Sequence, residues 1–390
     1  MEYFSLRGET RMPTVIDLFS GAGGLSLGAS RAGFTVGAAV EIDEHAMKTH
    51  RCNFPYTVHI QKDITTLTGA DILNQANINH DDFLGIIGGP PCQGFSSIGH
   101  GDINDPRNQL FIKFFDIVSE LQPVFFVAEN VPGIMKDKYN PIKEDAFNRI
   151  PNYVILPPLS INASEYGAPT TRTRVFFIGF RECDLIHPFS ITDIEAQKVE
   201  VSKKTTVRQA LEGLQEDIRY TSTFKSSKAL SRSYYSSNNH LQSDFFYERV
   251  TSRIPATVGN KEYIREYKTH HFVDGCIPTN HSKAVKKRYS KLKYNEQDKV
   301  SKSKRLDPDG YCPTLRAGTG PEKGSYQAVR PIHYKYNRVI TPREAARLQG
   351  FPDWFKLPET IWHSFRQIGN SVSPIVAEQV LSAIYQKLTL

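Results

Sequence analysis

The sequence predicts an α/β protein whose open sheet carries a ligand site and to which a smaller basic domain is added. The first observation is a strand, a glycine loop and a helix in succession over residues 14–29, which is the opening of a nucleotide-binding α/β unit. The second is that glycine turns or acidic residues stand at the ends of three successive strands. The third is a separate, strongly basic segment late in the chain.

Charge and length predict the second domain. Residues 201–305 hold 22 Lys and Arg against 10 Asp and Glu, a net of +12, whereas the rest of the chain nets −5. A basic segment on a mildly acidic body is typical of a polyanion-binding module, the alternative being a solvated, lysine-rich surface. At 390 residues and 44.1 kDa, the chain also suits a large domain plus a smaller one.

Several protein classes are disfavoured. No apolar run approaches the roughly 18 residues that span a bilayer, and Met1 to Phe4 lack the basic-then-apolar layout of a signal peptide. The cysteines show neither zinc nor disulfide spacing; they lie at 52, 92, 183, 276 and 312. We therefore expect a cytoplasmic protein with no membrane segment and no metal site.

The glycine loop predicts a cofactor site. A strand pattern from Thr14 leads into a loop of three glycines, and a helix follows. A dinucleotide fingerprint would need a third glycine where Ser26 stands, which argues against a pyrophosphate ligand. Glycines still let the backbone approach a ligand closely, which suits a cofactor without phosphate such as S-adenosylmethionine. The candidate residues are Phe19, Gly21, Gly23, Gly24 and Leu25.

The next two strand ends extend this site. Glu41 follows the strand Thr35 to Val40, about twenty residues beyond the loop, where an acidic side chain usually accepts hydrogen bonds from ribose hydroxyls. We expect Ile42 to lie against the adenine, and Asp63, with Ile64 beside it, to take the adenine amino group. The alternative for each carboxylate is a solvated loop acid.

Cys92 is the cysteine predicted to do chemistry. It follows a short buried strand, Leu84 to Ile87, and two prolines that fix φ twice in succession. A stiff turn at a strand's carboxyl end presents a nucleophile, whereas the alternative is a cysteine packed as a small hydrophobe. The glycine-rich run from Ser96 to Asn108 has no periodicity and suits a lid over substrate.

These residues resemble the motifs of the DNA cytosine-5 methyltransferases. Pro90-Pro91-Cys92-Gln93, with two glycines before it and Phe95-Ser96 after it, is similar to that family's catalytic motif. Further motifs occur in the family's order: Asp17 to Gly24, Glu41, Asp63, Glu129 to Val131, Arg172 to Arg174, Arg343 to Pro352 and Gln367 to Val372. One departure is Thr170, which stands where the family usually has a glutamine.

The resemblance implies a fold and a reaction. The fold is a class I S-adenosylmethionine-dependent methyltransferase, a doubly wound and mostly parallel sheet with a target-recognition domain. Cys92 would add to carbon 6 of a flipped-out cytosine, and Glu129 would protonate or hydrogen-bond ring nitrogen 3. Arg172 and Arg174 would orient Glu129 and the base or hold the backbone of the flipped nucleotide. Domains are expected at residues 1–185, 186–330 and 331–390, the last completing the first, with the final helix beside the N-terminal strand.

The resemblance also implies the remaining contacts and the partners. Cofactor contacts would be completed by Pro90, Asn370, Ser371 and Val372. Candidates for DNA contact are Gln93, Ser96, Arg107, Lys286, Lys287, Arg288, Thr314, Leu315 and Arg316. Double-stranded DNA is the expected substrate for a bacterial, nucleoid-associated monomer that pairs functionally with a restriction endonuclease. Alternatives are a tRNA methyltransferase of the same fold, an inactive DNA-binding relative, and a thiol hydrolase.

Overall fold

The computed structural model describes residues 13–91, 108–182, 188–214, 233–234, 245–276, 278–317, 329–358 and 360–388. The strands are β1 Thr14–Leu18, β2 Thr35–Val40, β3 Val58–Ile60, β4 Phe83–Gly88, β5 Phe125–Asn130, β6 Tyr153–Ile155, β7 Leu159–Asn162, β8 Thr173–Arg181, β9 Ser233–Tyr234 and β10 Phe272–Val273. The helices are α1 Gly24–Ala32, α2 Glu44–Asn53, α3 Gly69–Ala76, α4 Asn108–Leu121, α5 Asn140–Asn148, α6 Ile191–Glu195, α7 Val207–Leu211, α8 Phe245–Thr251, α9 Lys261–His270, α10 Lys283–Tyr289, α11 Pro342–Gln349, α12 Ile361–Asn370 and α13 Pro374–Leu388.

The first eight strands form one sheet in the order β3-β2-β1-β4-β5-β8-β6, with β7 also paired to β8. Strands β1 to β5 run parallel to one another, whereas β8 is antiparallel to β5, β6 and β7. The strand order reverses between β1 and β4, and open α/β sheets bind ligands at the carboxyl ends beside such a reversal. The predicted doubly wound, mostly parallel sheet is therefore confirmed.

Side chains from alternate strand positions enter two hydrophobic clusters, one on each face of the sheet. In β5, Phe125 and Val127 join one cluster, whereas Phe126 and Ala128 join the other. Helices α3, α4 and α5 cover the second face, and α1, α13 and the helices of the later chain cover the first. Because both faces are covered, these strands read in the sequence as nearly continuous apolar runs.

The final helix, α13, completes the helical layer on the first face of the sheet. It packs chiefly on α1 rather than on the N-terminal strand, so the predicted placement was wrong in that detail. A Cβ added at Gly28 of α1 would lie 2.3 Å from the Cβ of Ala377. The missing side chain lets the two helices approach closely, so α1 is the chief contact of α13.

The chain after residue 188 is helical and irregular. The strands described between residues 180 and 329 are two residues long. Helices α6, α7 and α8 share the hydrophobic cluster of α1 and α13. Buried Glu378 of α13 pairs with Arg249 of α8 at 2.8 Å and with Arg253 at 2.5 Å. The domain boundaries at residues 186 and 331 stay predictions.

Helix α11 begins with a reciprocal side-chain cap. The Thr341 side chain accepts a hydrogen bond from the Glu344 backbone N–H, and the Glu344 carboxylate accepts one from the Thr341 N–H. This reciprocal cap satisfies two backbone donors at the helix start. Among all the helices described here, none is long and apolar enough to cross a membrane.

Candidate active site

A cavity of about 510 Å³ lies at the carboxyl ends of β1, β2, β4 and β5. Its lining includes fourteen of the residues predicted from sequence: Phe19, Gly21, Gly24, Leu25, Glu41, Ile42, Asp63, Ile64, Pro90, Glu129, Arg174, Asn370, Ser371 and Val372. Gly23 and Arg172 are described but do not line it. The predicted nucleophile Cys92 lies outside the described residues, as do Gln93, Ser96 and Arg107.

The loop after β1 is shaped by backbone conformations that most residues avoid. Phe19 has φ of +61° although it is not a glycine, and Gly21 has φ of +56°. A Cβ at Gly24 would lie 2.4 Å from the carbonyl oxygen of Val372, so the start of α1 touches the turn between α12 and α13. Gly23 acts by packing, because its Cβ would lie 2.4 Å from the ring of Phe54.

Glu41 ties the first two strand ends together. Its Oε2 accepts the backbone N–H of Gly21 at 2.9 Å, and its Oε1 accepts that of Asp43 at 2.8 Å. Burial raises the pKa of the Glu41 carboxyl, and these backbone hydrogen bonds oppose the rise. Each carboxylate oxygen has a further lone pair, so the group remains able to accept hydrogen bonds from a ligand in the cavity.

The adjacent lining combines an apolar and an acidic side chain. Ile42 is 64% exposed although it is apolar, and it faces the cavity. Asp63 is exposed and caps the short turn Ile64–Thr66, since its Oδ1 accepts the N–H of Thr65 at 2.9 Å. An exposed apolar surface beside a carboxylate suits a ligand with an aromatic face and polar edges.

Glu129 stands at the end of β5, buried and 7% exposed. The guanidinium of Arg174 lies 2.7 Å from Glu129 Oε1 through its Nε. Burial raises the pKa of the Glu129 carboxyl, whereas the charges of Arg174 and Arg172 lower it, and burial dominates. The site therefore holds a carboxyl group with a raised proton affinity beside a fixed positive charge.

The turn that precedes Cys92 is held beside Glu129 by the next residue of β5. The side chain of Asn130 donates a hydrogen bond to the carbonyl of Pro90 at 3.3 Å. A Cβ at Gly89 would lie 3.3 Å from Glu129 Oε2, so the glycine keeps that oxygen accessible. Pro91, the last residue described before Cys92, also lines the cavity.

Arg172 differs from Arg174 in its contacts. It is 2% exposed and donates to the carbonyls of Leu315 at 3.1 Å and Asn370 at 3.4 Å. It therefore joins the turn after α12 to the segment that ends the predicted recognition region. Sequence alone did not distinguish the two arginines, because they alternate in one short stretch; Arg172 lies just before β8 and Arg174 within it.

Thr170 also contacts the segment that ends the predicted recognition region. Its hydroxyl donates to the carbonyl of Cys312 at 3.0 Å, and the N–H of Thr171 donates to that carbonyl at 2.9 Å. The N–H of Cys312 in turn donates to the carbonyl of Pro169 at 2.9 Å. The residue that departs from the family pattern thus helps to hold residues 169–171 against the recognition segment.

Ser26, which replaces a dinucleotide-type glycine, lies in a buried polar chain. Its hydroxyl donates to Asp17 Oδ2 at 2.5 Å and lies 2.9 Å from His50 Nε2. The second ring nitrogen of His50 lies 2.9 Å from His59. Burial raises the pKa of Asp17 to about 7 and lowers that of His50. A serine is therefore needed here for a structural reason.

Sequence reasoning missed part of the lining. Helix α12 contributes His363 and Arg366 to the cavity, together with Gln367, which falls in a motif identified from sequence but had no predicted contact. The ring of His363 stacks on His45 with 3.7 Å between centroids, and Arg366 pairs with Asp43 at 3.2 Å. The available signal was helical spacing, because these residues fall one to two turns before Asn370 on the same helix.

The predicted DNA-contacting residues differ in exposure. Lys286 and Lys287 are exposed on α10, whereas Arg288 of that helix donates to Asp298 Oδ1 at 2.6 Å. In the later segment Thr314 and Arg316 are exposed, and Leu315 is buried at 4%. The side chain of Leu315 packs in the hydrophobic interior, and its backbone carbonyl is the group that Arg172 contacts.

The cavity lining fits S-adenosylmethionine. Glu41 is an acceptor for ribose hydroxyls, and Ile42 is an apolar surface for the base. Ser20 Oγ and both polar side-chain atoms of Gln367 are buried at the cavity with no hydrogen-bond partner among the described residues. Buried polar atoms are normally paired, so their presence indicates a polar ligand. The cavity volume also lies in the usual range for small ligands.

Comparison with known proteins identifies the family. The family described as C-5 cytosine-specific DNA methylase matches residues 13–386. The chain belongs to this family. It is a DNA cytosine-5 methyltransferase that uses S-adenosylmethionine, and its fold is the class I methyltransferase fold.

Named relatives agree with this assignment. The methyltransferase is 35% identical over 380 residues to Type II methyltransferase M.XorII of Xanthomonas oryzae pv. oryzae, covering 96% of this chain and 85% of the relative. It is 33% identical to Type II methyltransferase M.DdeI of Desulfomicrobium norvegicum, covering 95% and 88%. A crystal structure of an E. coli prophage protein assigned as a DNA modification methyltransferase superposes with a TM-score of 0.84 at 48% identity, covering 96% of this chain and 99% of that one.

A more distant structure shares the fold alone. The methyltransferase Dnmt2 of S. pombe superposes with a TM-score of 0.63 at 18% identity, covering 97% of this chain and 100% of that one. Identity at this level indicates a common architecture and carries no argument about substrate.

Proposed function

We propose that this methyltransferase modifies a flipped-out cytosine in a short sequence of duplex DNA, with Cys92 as nucleophile and Glu129 as the acid that assists it. The observation that carries the proposal is the position of Glu129: it is buried at the end of β5, paired with Arg174, in the cavity that Glu41 also lines. A carboxyl group of raised pKa beside a nucleoside-type site suits catalysis on a heterocyclic base.

Cytosine requires nucleophilic activation because its carbon 5 is a poor nucleophile. A thiolate that adds to carbon 6 converts the ring to an enamine with electron density at carbon 5. We assign this role to Cys92, which follows Pro91 in the chain. After the methyl group is transferred, carbon 5 loses its proton and the Cys92 thiolate is eliminated, which restores the aromatic ring.

Glu129 would hold a proton at ring nitrogen 3 while the thiolate adds. The enamine leaves negative charge on the ring, and a carboxylic acid within hydrogen-bond reach of that nitrogen neutralises it. Arg174 fixes the orientation of the carboxyl group through its 2.7 Å contact. Arg172 contacts backbone carbonyls instead, so we propose it as a positioning residue.

The cofactor would lie across the glycine loop and the turn after α12. Glu41 would accept the ribose hydroxyls, Ile42 would cover one face of the adenine, and Asp63 would accept from the adenine amino group. When bound, S-adenosylmethionine supplies the methyl group. The close packing of Gly24 on Val372 keeps the two backbone segments of this site together.

DNA contact is proposed for the exposed basic surface. Lys286 and Lys287 on α10 are free to meet phosphates, and Thr314 and Arg316 are exposed beside the junction with Arg172. Such contacts release condensed counterions and offset the cost of extruding the base, a few kcal/mol. Arg288 is paired with Asp298, so we propose that it stabilises the position of α10 instead of contacting a phosphate.

The biological role is proposed by analogy with the relatives. Their names as Type II methyltransferases favour a functional pairing with a restriction endonuclease whose sites this enzyme would shield. We propose that it acts as a monomer, because it modifies one strand at a time, in the bacterial cytoplasm and on nucleoid DNA.

The test is methylation mapping of DNA from a methylation-free host that expresses the wild type or Cys92→Ala. We expect 5-methylcytosine in one short motif with the wild type and none with the variant. The matched control is Cys52→Ala, which should methylate normally. Absence of DNA methylation by a folded wild type that binds S-adenosylhomocysteine would overturn the DNA proposal and direct the assay to tRNA.

A further inference from the structure

Gln367 has an unusual environment for a glutamine. It lies on α12, lines the cavity and is only 7% exposed. Neither Oε1 nor Nε2 of its side chain has a hydrogen-bond partner among the described residues. A buried amide without partners costs free energy relative to an apolar side chain of the same shape. The Gln367 side-chain amide therefore makes no evident contribution to folding stability.

The neighbours of Gln367 show that its environment is not simply poor in partners. The next residue before it, Arg366, pairs with Asp43, and the backbone carbonyl of Gln367 accepts the N–H of Ser371 at 3.0 Å. Gln349, another buried glutamine close by, donates to the carbonyl of Ser371 at 2.9 Å. Among the described residues, Gln367 lines the cavity with a buried side-chain amide whose donor and acceptor are both unpaired.

A second observation points to the same part of the cavity. The hydroxyl of Ser20 in the glycine loop is also buried, lines the cavity and has no partner in the described part of the chain. The glycine loop meets the turn after α12 where Gly24 packs on Val372, and Gln367 lies one helical turn before that meeting point. Two unpaired polar groups thus border one junction.

We propose that Gln367 binds the amino-acid end of S-adenosylmethionine, an assignment that rests on the proposed placement of the cofactor. The amide Nε2–H donates to the carboxylate, and Oε1 accepts from the ammonium group. The zwitterion supplies both missing partners, an anionic acceptor for Nε2–H and a cationic donor for Oε1. The adenosine end is already served by Glu41, Ile42 and Asp63 at the ends of β2 and β3.

The test compares Gln367→Met, which keeps the shape of the side chain, with Gln349→Met. Affinity is measured by calorimetry for S-adenosylhomocysteine and for 5′-methylthioadenosine, which lacks the amino-acid end. For Gln367→Met we expect at least about a 10-fold loss for the first ligand, equivalent to about 1.4 kcal/mol, and less than about a 2-fold loss for the second.

Thermal unfolding without ligand supplies an independent readout. Gln367→Met should melt at the same temperature as the wild type or higher, because an unpaired buried amide is removed. Gln349→Met should melt lower, because it loses a hydrogen bond to Ser371. A structural role for Gln367 would instead lower its melting temperature as well.

Three outcomes contradict the proposal in different ways. Unchanged affinity of Gln367→Met for S-adenosylhomocysteine overturns it outright. Equal losses for both ligands overturn the amino-acid assignment and indicate the adenosine end. If the wild type binds neither ligand, the proposed cofactor site is wrong, and the Gln367 assignment is wrong with it. If the wild type binds S-adenosylhomocysteine and Gln367→Met binds it equally well, only the Gln367 assignment is wrong.

Discussion

The hydroxyl of Thr170 donates a hydrogen bond to the backbone carbonyl of Cys312 at 3.0 Å, across 142 residues of sequence. Both residues are completely buried. The bond links the residues that lead into β8, where Arg172 and Arg174 follow, to the segment that carries Thr314 and Arg316. A threonine where the family usually has a glutamine therefore has a defined structural contact.

Thr170→Val should destabilise the protein by about 1 kcal/mol, because it removes one buried hydrogen bond and keeps the side-chain shape. Urea denaturation measures the change. Thr171→Val is the matched control, since the Thr171 hydroxyl lies 3.5 Å from the same carbonyl and the residue is exposed, so its loss should cost less. Equal effects of the two substitutions would show that the Thr170 hydroxyl is not the stabilising group.

Glu129→Gln should slow methylation by about 10²- to 10⁴-fold, the range that general acid–base groups contribute. The amide keeps the size of the side chain but cannot hold the proton at ring nitrogen 3. Single-turnover methylation of a DNA duplex measures the rate. S-adenosylhomocysteine affinity should change little. Glu165→Gln, at an exposed carboxylate paired with Lys198, serves as the control, and a rate loss shared by both variants would argue against a specific role of Glu129.

Asp17 should make folding stability depend on pH. Its pKa is raised by burial to about 7 from an ordinary value of 3.8, with Glu41 adding to the rise and Ser26 opposing it. The folded state therefore binds the proton more tightly than the unfolded state between these values. This contribution is fully present below pH 4 and is lost as the pH rises to about 7.

Asp17→Asn removes that dependence. Relative to the wild type, the variant should gain stability between pH 5 and 8, by on the order of 2–4 kcal/mol. Urea denaturation at several pH values measures the difference between the two proteins, in which the titrations of His50 and His59 largely cancel. A difference that stays constant over this range would mean that Asp17 is ionised throughout.

Reversing the charge of Lys286 and Lys287 together should weaken DNA binding and lower the slope of log affinity against log salt by about 2. Fluorescence anisotropy with a labelled duplex over a salt series measures both. Cofactor affinity should not change. The charge-matched control reverses Lys48 and Arg51, which are exposed on α2 in the catalytic body. An equal loss of DNA affinity in this control would show that the effect comes from net charge and not from contacts of α10.

Local sequence determined much of the fold and the location of the site. The glycine loop after β1, the acid after β2 and the acid at the end of β5 each depend on a few adjacent residues, so strand pattern and turn chemistry predicted them. The cap at Thr341 is also local, because a capping box needs residues only three apart. The order of these motifs along the chain was sufficient to indicate the family.

Only the tertiary structure decided which distant residues meet. It paired Glu129 with Arg174 and gave Arg172 to Leu315 and Asn370, although the two arginines look alike in sequence. It brought α12, with Gln367, to the cavity, and it set α13 on α1 instead of on β1. Such contacts join residues tens to hundreds of positions apart, and they depend on the packing of whole elements, which no local pattern of side chains specifies.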